Sequence, residues 1–295
     1  MLSLETIDKP VQLNCDESAI DKIIREWGEY RDNGGKLATK LLTTSTKTRK
    51  DNVSYFTKIL YLQPANESGI NLCGFHGDCA KICLSESGHM AMETIRTQKN
   101  GTKTARWKRT HYMLAEKRAF HISLQSEIRK HYLYCDKKQL MPVVRLNGTS
   151  DISWNNVIVS NPSITFYDYT KDLSRYHSWL KRDGRVPFTN YHITFSCDEK
   201  TTPHMFFGKY GSGASGAVVF DVESFKRITK EKTIEINGKL VDIVNGDISD
   251  NRFLDYTMVD KWSNNPILVA LKAKGRARKN GLRFVFTYTA GGLII

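Results

Sequence analysis

Three cysteines stand close together in the sequence, at Cys73, Cys79 and Cys83. Their C-x5-C-x3-C spacing, in a glycine-containing stretch, allows the three thiolates to converge on one centre. Three protein sulfurs can hold three irons of a 4Fe–4S cluster and leave the fourth iron open for a substrate or cofactor. A tetrahedral zinc ion would need a fourth ligand, for which His76 and His89 are nearby candidates. A third interpretation is that the cysteines are reduced and pack as small apolar residues.

A second candidate is a run of amide, glycine, hydroxyl and carboxylate residues: Asn147, Gly148, Thr149, Ser150 and Asp151. It follows a short apolar segment, so we expect it at the end of a strand. Glycine and small hydroxyl residues let backbone amides approach an anionic or carboxylate group closely. The alternative is an Asx-type turn that only caps the next helix.

A carboxylate and a lysine follow another apolar segment, at Asp168 and Lys171. A carboxylate at a strand end can accept a proton, attack a carbon or orient a base. Tyr167 and Tyr169 beside it can stack on a nucleobase, or they can simply close the core. We predict Asp151, Asp168 and Lys171 as the catalytic residues.

Two further segments carry charge. The turn from Gly246 to Arg252 can bind ribose hydroxyls, a divalent ion or its own backbone, and within it we predict that Asp247 contacts a cofactor. A basic run after a predicted strand is suited to phosphate contacts, although it could equally be a solvated loop. Its predicted nucleic-acid contacts are Lys272, Lys274, Arg276, Arg278 and Lys279.

The overall charge and hydropathy narrow the classes of protein. A net charge of +13 attracts polyanions, so a nucleic acid, with DNA the first choice, or a nucleotide is the expected partner. No stretch approaches the roughly 20 apolar residues of a membrane-spanning helix. The N-terminus lacks a secretion signal, so we expect a cytoplasmic protein without a disulfide framework. No complete phosphate-binding loop of the G-x4-G-K-S/T type is present, which disfavours a nucleotide-triphosphate motor.

These residues must be positioned by helices and strands. Apolar residues at three- and four-residue spacing predict helices over 16–31 and 116–134. Between Asp32 and Asp51 the sequence is polar and basic, which predicts a loop or flexible arm. Short apolar runs that end in polar residues predict strands. The runs are 55–62, 143–146, 164–167, 191–195, 216–221, 240–247, 266–271 and 282–288.

Alternation of short apolar strands with helix-length segments is typical of a parallel α/β sheet with its site at the carboxyl ends. We predict an α/β fold, a (β/α) barrel or partial barrel with mostly parallel strands. A single domain is expected over residues 1–295, with an N-terminal helix and basic arm at 1–52 and the barrel at 53–295.

Several motifs resemble those of the phage gene product 88 family. They are N-x-C-x5-C-x3-C-L at Asn71 to Leu84, R-L-N-G-T-S-D-I at Arg145 to Ile152, F-Y-D-Y-T-K at Phe166 to Lys171, N-Y-H-I-T-F-S at Asn190 to Ser196, G-D at Gly246-Asp247 and L-K-A-K-G at Leu271 to Gly275. The resemblance spans roughly residues 55–280, and the family implies no settled activity. If phage-encoded, the protein would act in the cytoplasm of an infected cell.

More distant resemblances imply two chemistries. A cysteine loop after the first strand is similar to radical S-adenosylmethionine barrels, which implies an iron–sulfur cluster and a cofactor pocket lined by Asn147 to Asp151 and Ser196. A rival resemblance is to transglycosylases of the tRNA-guanine exchange type. It implies Asp168 as nucleophile and Asp151 as the carboxylate that recognises the base.

The sequence therefore leads to three hypotheses. The first is a nucleic-acid or nucleotide modifying enzyme with a cysteine-ligated iron–sulfur centre, or zinc in its place, and S-adenosylmethionine as a possible cofactor. The second is a DNA-guanine transglycosylase. The third is a non-catalytic nucleic-acid-binding protein whose metal only fixes a loop.

Overall fold

The computed structural model describes residues 17–37, 40–45, 48, 54–65, 67–82, 101–180, 190–211, 213–259, 263–278 and 282–294. The fold of these residues is mixed α/β with mostly parallel strand pairs. The chain forms two compact units, each described by itself. Unit one comprises the described parts of 1–74, 84–166 and 187–191, and unit two those of 75–83, 167–186 and 192–295.

The elements are numbered along the chain. The helices are α1 (Glu17–Asp32), α2 (Gly101–Ala115), α3 (Lys117–Lys137), α4 (Asn155–Val159), α5 (Leu173–Leu180), α6 (Pro203–Lys209), α7 (Val222–Ile228) and α8 (Asp255–Met258). The strands are β1 (Leu42–Thr43), β2 (Tyr55–Leu60), β3 (Met141–Arg145), β4 (Thr165–Thr170), β5 (Tyr191–Ser196), β6 (Ser215–Phe220), β7 (Thr233–Ile236), β8 (Lys239–Asn245), β9 (Ile267–Lys272), β10 (Val285–Thr289) and β11 (Gly292–Ile294). Short 3-10 helices span Asp78–Ile82, Arg252–Leu254 and Gly275–Arg278.

Unit one contains the first strands of the sheet. β2 is parallel to β3, and β3 is parallel to the beginning of β4. β1 is antiparallel to β2 and brings Leu42 opposite Leu60, both of them buried. The predicted loop or arm is therefore wrong at Leu42–Thr43, where an apolar pair adds a strand to the sheet. The backbone amides of Leu41 and Leu42 donate to the Glu127 carboxylate at 2.7 and 2.9 Å.

Helix α3 covers the β2–β3 pair because its apolar residues recur at helical spacing. Phe120, Leu124 and Ile128 are all fully buried. His131 on the same face lies with Nε2 3.0 Å from the Phe56 carbonyl and 3.1 Å from the Val143 carbonyl. Burial lowers the pKa of His131 to about 4, so its ring is neutral and donates from Nε2 at ordinary pH.

Unit two has a parallel centre. β5 is parallel to β6, β6 to β9, and β9 to β8. β9 is buried along Ile267 to Ala270, as expected of a strand covered on both faces. Local signals set the helices between the strands: Thr202 caps α6 before Pro203, and Asp221 caps α7 through two backbone amides.

Antiparallel hairpins end the sheet in unit two. β7 pairs with β8 through the turn Asn237-Gly238, whose φ values of 51° and 71° suit a tight hairpin turn. A closed barrel requires two neighbours for every strand. Among the described residues β1 pairs with β2 alone and β7 with β8 alone, so the predicted barrel is not confirmed and the sheet is not closed.

Candidate functional site

Polar side chains gather where the strands of unit two end. The carboxyl ends of β5, β6, β9 and β8 lie at one edge because these strands are parallel. Lys171 comes directly after β4, and Asp198 comes two residues after β5. Ligands of open α/β sheets usually bind outside the carboxyl ends of the strands. We call the cluster of Lys171, Ser196 and Asp198 the acid–base edge.

The sheet changes partners beside this edge. β6 pairs with β5 up to Ser196↔Ala217, and the Cys197 amide still donates to the Ala217 carbonyl at 2.9 Å. From Val219 onward β6 pairs with β10 instead. The chain that follows β5 therefore leaves the sheet where β10 begins. Such a divergence of strands is where α/β proteins commonly form a ligand crevice.

Lys171 and Asp198 form an ion pair that is largely shielded from water. Their Nζ and Oδ2 atoms are 3.2 Å apart, and the side chains are only 11% and 5% exposed. Lys171 also donates to the Ser196 carbonyl at 3.2 Å. The other Asp198 oxygen accepts from the backbone amides of Lys200 and Thr201 at 2.9 and 2.8 Å. The carboxylate is thus held in one orientation, which in turn positions the ammonium group.

The second half of the cysteine loop is anchored in the same unit. The Arg283 guanidinium donates to both Asp78 oxygens, at 2.9 and 3.3 Å. These hydrogen bonds and the negative charge of Asp78 raise the pKa of Arg283. The Asp78 amide donates to Glu199 Oε1 at 2.8 Å. A carboxylate after β5 and an arginine before β10 therefore both contact the loop at Asp78.

Gly77 permits this approach. A side chain at this position would collide with the Glu199 carboxylate. The second oxygen of that carboxylate is buried and has no hydrogen-bond partner among the described residues. An alanine at position 77 would therefore push the Glu199 carboxylate away from its place beside Asp78.

The structure describes two of the three predicted metal ligands. Cys73 lies in unit one and Cys79 in unit two. Cys79 packs against the apolar cluster of Ala273, Ala277 and Phe284. Cys83 and His89 lie outside the described residues. The part of the chain that is described holds no group of three metal-ligating side chains, so the metal centre stays a prediction.

In the loop after β3, the side chain of Asn147 forms its hydrogen bonds with the residues that follow it. Asn147 Oδ1 accepts from Ser150 Oγ, the Ile152 amide and the Trp154 indole at 2.9, 3.2 and 3.2 Å. Its Nδ2 donates to the Ile152 carbonyl at 2.9 Å. Asn147 therefore holds its own loop together, and α4 begins after Trp154 without a side-chain cap from that residue. A cofactor role for this loop stays a prediction.

The neighbouring residues of this loop are tied to the end of β2. The Gly148 amide donates to the Leu60 carbonyl at 3.0 Å, and Thr149 Oγ1 donates to the Leu62 carbonyl at 2.5 Å. The Asp151 amide donates to the Leu72 carbonyl at 2.8 Å, on the segment that leads to Cys73. The loop therefore lies against the chain that leaves β2.

Asp168 is not a strand-end residue. β4 continues to Thr170, three residues beyond the predicted run, and Asp168 lies within it at 1% exposure. The sequence ended the strand at Asp168 because a carboxylate rarely lies inside one. Its predicted catalytic role is untested.

The predicted phosphate-binding residues have protein partners where they are described. Lys274 Nζ is 2.7 Å from an Asp247 oxygen, so the predicted cofactor carboxylate and one predicted phosphate contact form an ion pair. Lys272 lies over the Phe225 ring at 5.6 Å, and Arg278 donates to the Ala273 carbonyl at 3.3 Å. The Arg276 side chain and Lys279 lie outside the described residues.

A buried charged pair lies near the turn that follows β8. Arg252 and Asp255 approach to 3.4 Å between Nη1 and Oδ1, and both side chains are 0% exposed. Arg252 also donates to the Ser249 carbonyl. Burial raises the pKa of the Asp255 carboxyl to about 7, although the adjacent guanidinium acts in the opposite direction. Asp255 is thus a titratable group inside the core.

Several of these residues were not predicted. Asp198 and Glu199 follow the predicted strand at 191–195, so the strand-end rule applied to Asp168 would also have selected them. Asp78 lies between two cysteines, and no apolar run before it predicts a strand end there. Arg283 contacts Asp78 across 205 residues of sequence, for which no local pattern exists.

Comparisons with known proteins add one finding. The family model described as "Gene product 88" matches residues 31–287. No curated protein and no solved structure matches the chain. The resemblance to radical S-adenosylmethionine barrels gains no support from these comparisons.

Proposed function

We propose that this chain, which belongs to the gene product 88 family, modifies a nucleotide or a nucleic acid at the acid–base edge. The observation that carries the proposal is the shielded ion pair of Lys171 and Asp198 at the strand ends of unit two. Ion pairs on a protein surface are exposed to water and add little to the free energy of unfolding. A shielded pair beside a divergence of strands lies where α/β proteins commonly bind their ligands.

Lys171 is the proposed proton donor. Its ammonium group carries three N–H groups, and the Ser196 carbonyl and Asp198 carboxylate orient it. A substrate oxygen or ring nitrogen that approaches the edge would accept a proton or a strong hydrogen bond from it. Asp198 is the positioning residue, because its two backbone hydrogen bonds fix the carboxylate on which Lys171 rests.

An anionic substrate fits the charge of the protein. The net charge of +13 favours encounter with phosphate groups at long range. Arg283 is 69% exposed while Asp78 fixes its orientation, so its guanidinium can still meet an anion. The basic run from Lys272 to Lys279 remains the second proposed phosphate contact.

The cysteines form the second part of the proposal. We propose that Cys73, Cys79 and Cys83 hold an iron–sulfur centre, with zinc as the alternative. The anchoring of the loop at Asp78 supports it, whereas the apolar packing of Cys79 supports the metal-free alternative. An iron–sulfur centre would supply electron transfer, with S-adenosylmethionine as one possible acceptor, and zinc would polarise water.

The transglycosylase alternative is less well supported. It needs Asp168 to attack a sugar carbon, yet this carboxylate is only 1% exposed within β4. The non-catalytic alternative has no need of a shielded lysine at the strand ends. The acid–base edge therefore favours an enzyme.

The test is a search for a modified nucleoside. Protein purified without oxygen would be incubated with single-stranded DNA, duplex DNA or transfer RNA, each with and without S-adenosylmethionine and a reductant. The nucleic acid would then be digested to nucleosides, and their masses would be measured by mass spectrometry. We expect a mass-shifted nucleoside that Lys171→Met abolishes. Lys200→Met, which removes an exposed lysine beside the site, should leave the product unchanged.

Absence of any shifted nucleoside under all these conditions would overturn the proposal. Metal analysis of the same oxygen-free protein tests the cysteine centre separately. About four irons per chain supports the cluster. One zinc per chain supports the alternative. If the protein contains neither iron nor zinc, this part of the proposal is overturned.

A further inference from the structure

Unit one contains a polar cleft that the proposed function does not use. It has a volume of about 600 Å³ and lies between the middle of α3 and the loop from Ser160 to Ile164. Its lining includes Arg129 and Tyr132 from the helix and Ser160, Asn161 and Ser163 from the loop. The volume is within the range of small-molecule and nucleotide sites.

The walls of the cleft are fixed before anything binds. Asn190 Nδ2 donates to the carbonyls of Asn161 and Ile164 at 3.0 and 2.8 Å, which holds the loop. Asn161 Nδ2 donates to Gln125 Oε1 on α3 at 2.8 Å and so ties the loop to the helix. A preformed site loses less conformational entropy on binding than a flexible one.

The helical wall combines a cation with an aromatic ring. Arg129 and Tyr132 are three residues apart, so they project from the same side of α3. Arg129 is exposed and has no ion-pair or hydrogen-bond partner within the described part of the chain. Tyr132 is 36% exposed, which leaves its ring available for stacking. Proteins that bind single-stranded nucleic acid commonly combine positive charge for the backbone with aromatic rings on which the bases stack.

The surroundings of the cleft carry positive charge. Helix α3 contains the basic residues Lys117, Arg118, Arg129, Lys130 and Lys137. Its acidic residues are Glu127 and Asp136, and the Glu127 carboxylate is already bound by two backbone amides. The helix that forms one wall of the cleft therefore carries a net positive charge, which attracts a phosphate backbone.

We propose that this cleft binds a single-stranded nucleic acid by receiving one of its nucleotides. The base stacks on the Tyr132 ring, and a phosphate next to it contacts the Arg129 guanidinium. The amide and hydroxyl groups of the loop meet the edge of the base. A base paired within a duplex cannot stack on a tyrosine in this way, so single strands are the preferred form. The inference concerns binding and holds whether or not the acid–base edge is catalytic.

The test is the binding of a fluorescein-labelled 15-nucleotide oligothymidylate, measured by anisotropy at several salt concentrations. We expect Arg129→Gln to weaken binding about tenfold and to reduce the slope of log K against log salt by about one unit. Arg25→Gln removes the same charge from an exposed position on α1, outside α3 and outside the cleft lining, so it should change binding much less.

The tyrosine is tested by a matched pair of substitutions. Tyr132→Ala should weaken binding about tenfold, whereas Tyr132→Phe keeps the stacking ring and should bind as the wild type does. Competition by thymidine monophosphate distinguishes a site for a nucleic-acid strand from a site for a free nucleotide, because both ligands offer a base and a phosphate. Displacement by the monophosphate at concentrations near those of the oligonucleotide would make the cleft a nucleotide site and would overturn the single-strand proposal.

The outcomes separate this inference from the proposed function. Wild-type affinity in both Arg129→Gln and Tyr132→Ala overturns the cleft, as does tighter binding of a duplex or no binding of the wild type. Loss of binding in Lys171→Met, with the cleft variants unaffected, would overturn the cleft and leave the acid–base edge standing. Binding through the cleft without any modified nucleoside would overturn the proposed function and leave the cleft proposal standing.

Discussion

The segments after β3 and after β5 are both polar, yet they have different structural roles. After β3, the Asn147 side chain forms four hydrogen bonds with residues 150 to 154 of the same segment. After β5, Asp198 reaches the lysine that follows another strand, and the pair remains at the strand ends. Polar residues after a strand therefore do not by themselves define a site. What matters is whether a side chain meets groups from a different strand.

The largest expected effect breaks the acid–base edge while the fold is retained. The double variant Lys171→Met/Asp198→Asn removes both charges with little change of shape, so no unpaired charge is left buried. We expect the rate of nucleoside modification to fall about a hundredfold or more. The free energy of unfolding in urea should stay within about 1 kcal/mol of the wild type. Loss of both activity and fold would instead make the pair structural.

The same comparison predicts the opposite result for the loop after β3. Asn147→Ala leaves the Trp154 indole and the Ile152 amide without their acceptor in a buried site. We expect the free energy of unfolding to fall by about 3 kcal/mol, while the rate per folded molecule stays that of the wild type. Asn155→Ala, at an exposed position on α4, is the control. A rate loss without a stability loss would restore the predicted cofactor role of Asn147.

Each unit also contains a buried titratable group, and the two have opposite pH dependence. The folded pKa of Asp255 is raised from 3.8 to about 7, so its contribution to stability is lost as pH rises through that window. The folded pKa of His131 is lowered from 6.5 to about 4, so its contribution is lost as pH falls through that window.

Unfolding in urea between pH 4 and pH 7 tests these two signs. The wild type should lose stability relative to Asp255→Asn as pH rises, and gain it relative to His131→Gln, by a few kcal/mol at most in each case. Equal slopes for the two variants would contradict the burial of one of the groups.

The smallest effect contrasts two glycines. An alanine at position 148 would meet the Leu60 carbonyl at 2.7 Å, and a backbone atom cannot move aside. An alanine at position 77 would meet the end of the Glu199 side chain, which can move aside. We expect Gly148→Ala to cost about 2 kcal/mol of unfolding free energy and Gly77→Ala less than about 1 kcal/mol. Calorimetric melting measures both, and a larger cost at Gly77 would show that Glu199 is held rigidly.

Much of the parallel core was predictable from the sequence. All the predicted strand segments correspond to strands, and the predicted helices at 16–31 and 116–134 correspond to α1 and α3. The strands that the sequence did not predict are β1, β7 and β11, each of two to four residues. Such short edge strands are too brief for a periodic pattern. They are also the antiparallel strands at the limits of the sheet, so without them its closure into a barrel could not be judged.

The candidate site was predictable only in part. Lys171 was found because it follows an apolar run, and Asp198 follows another such run by the same rule. Their pairing depends on which strands are neighbours, and the contact of Arg283 with Asp78 depends on the whole chain between them. Local patterns locate strand ends, but they do not specify which ends meet.

The most direct test of the acid–base edge is the rate of nucleoside modification by Lys171→Arg. Arginine keeps the positive charge and can keep the ion pair with Asp198, but it does not give up its proton. If Lys171 is the proton donor, the rate should fall about a hundredfold while the melting temperature stays near that of the wild type. A wild-type rate in this variant would contradict the account, because the lysine would then serve only as a charge.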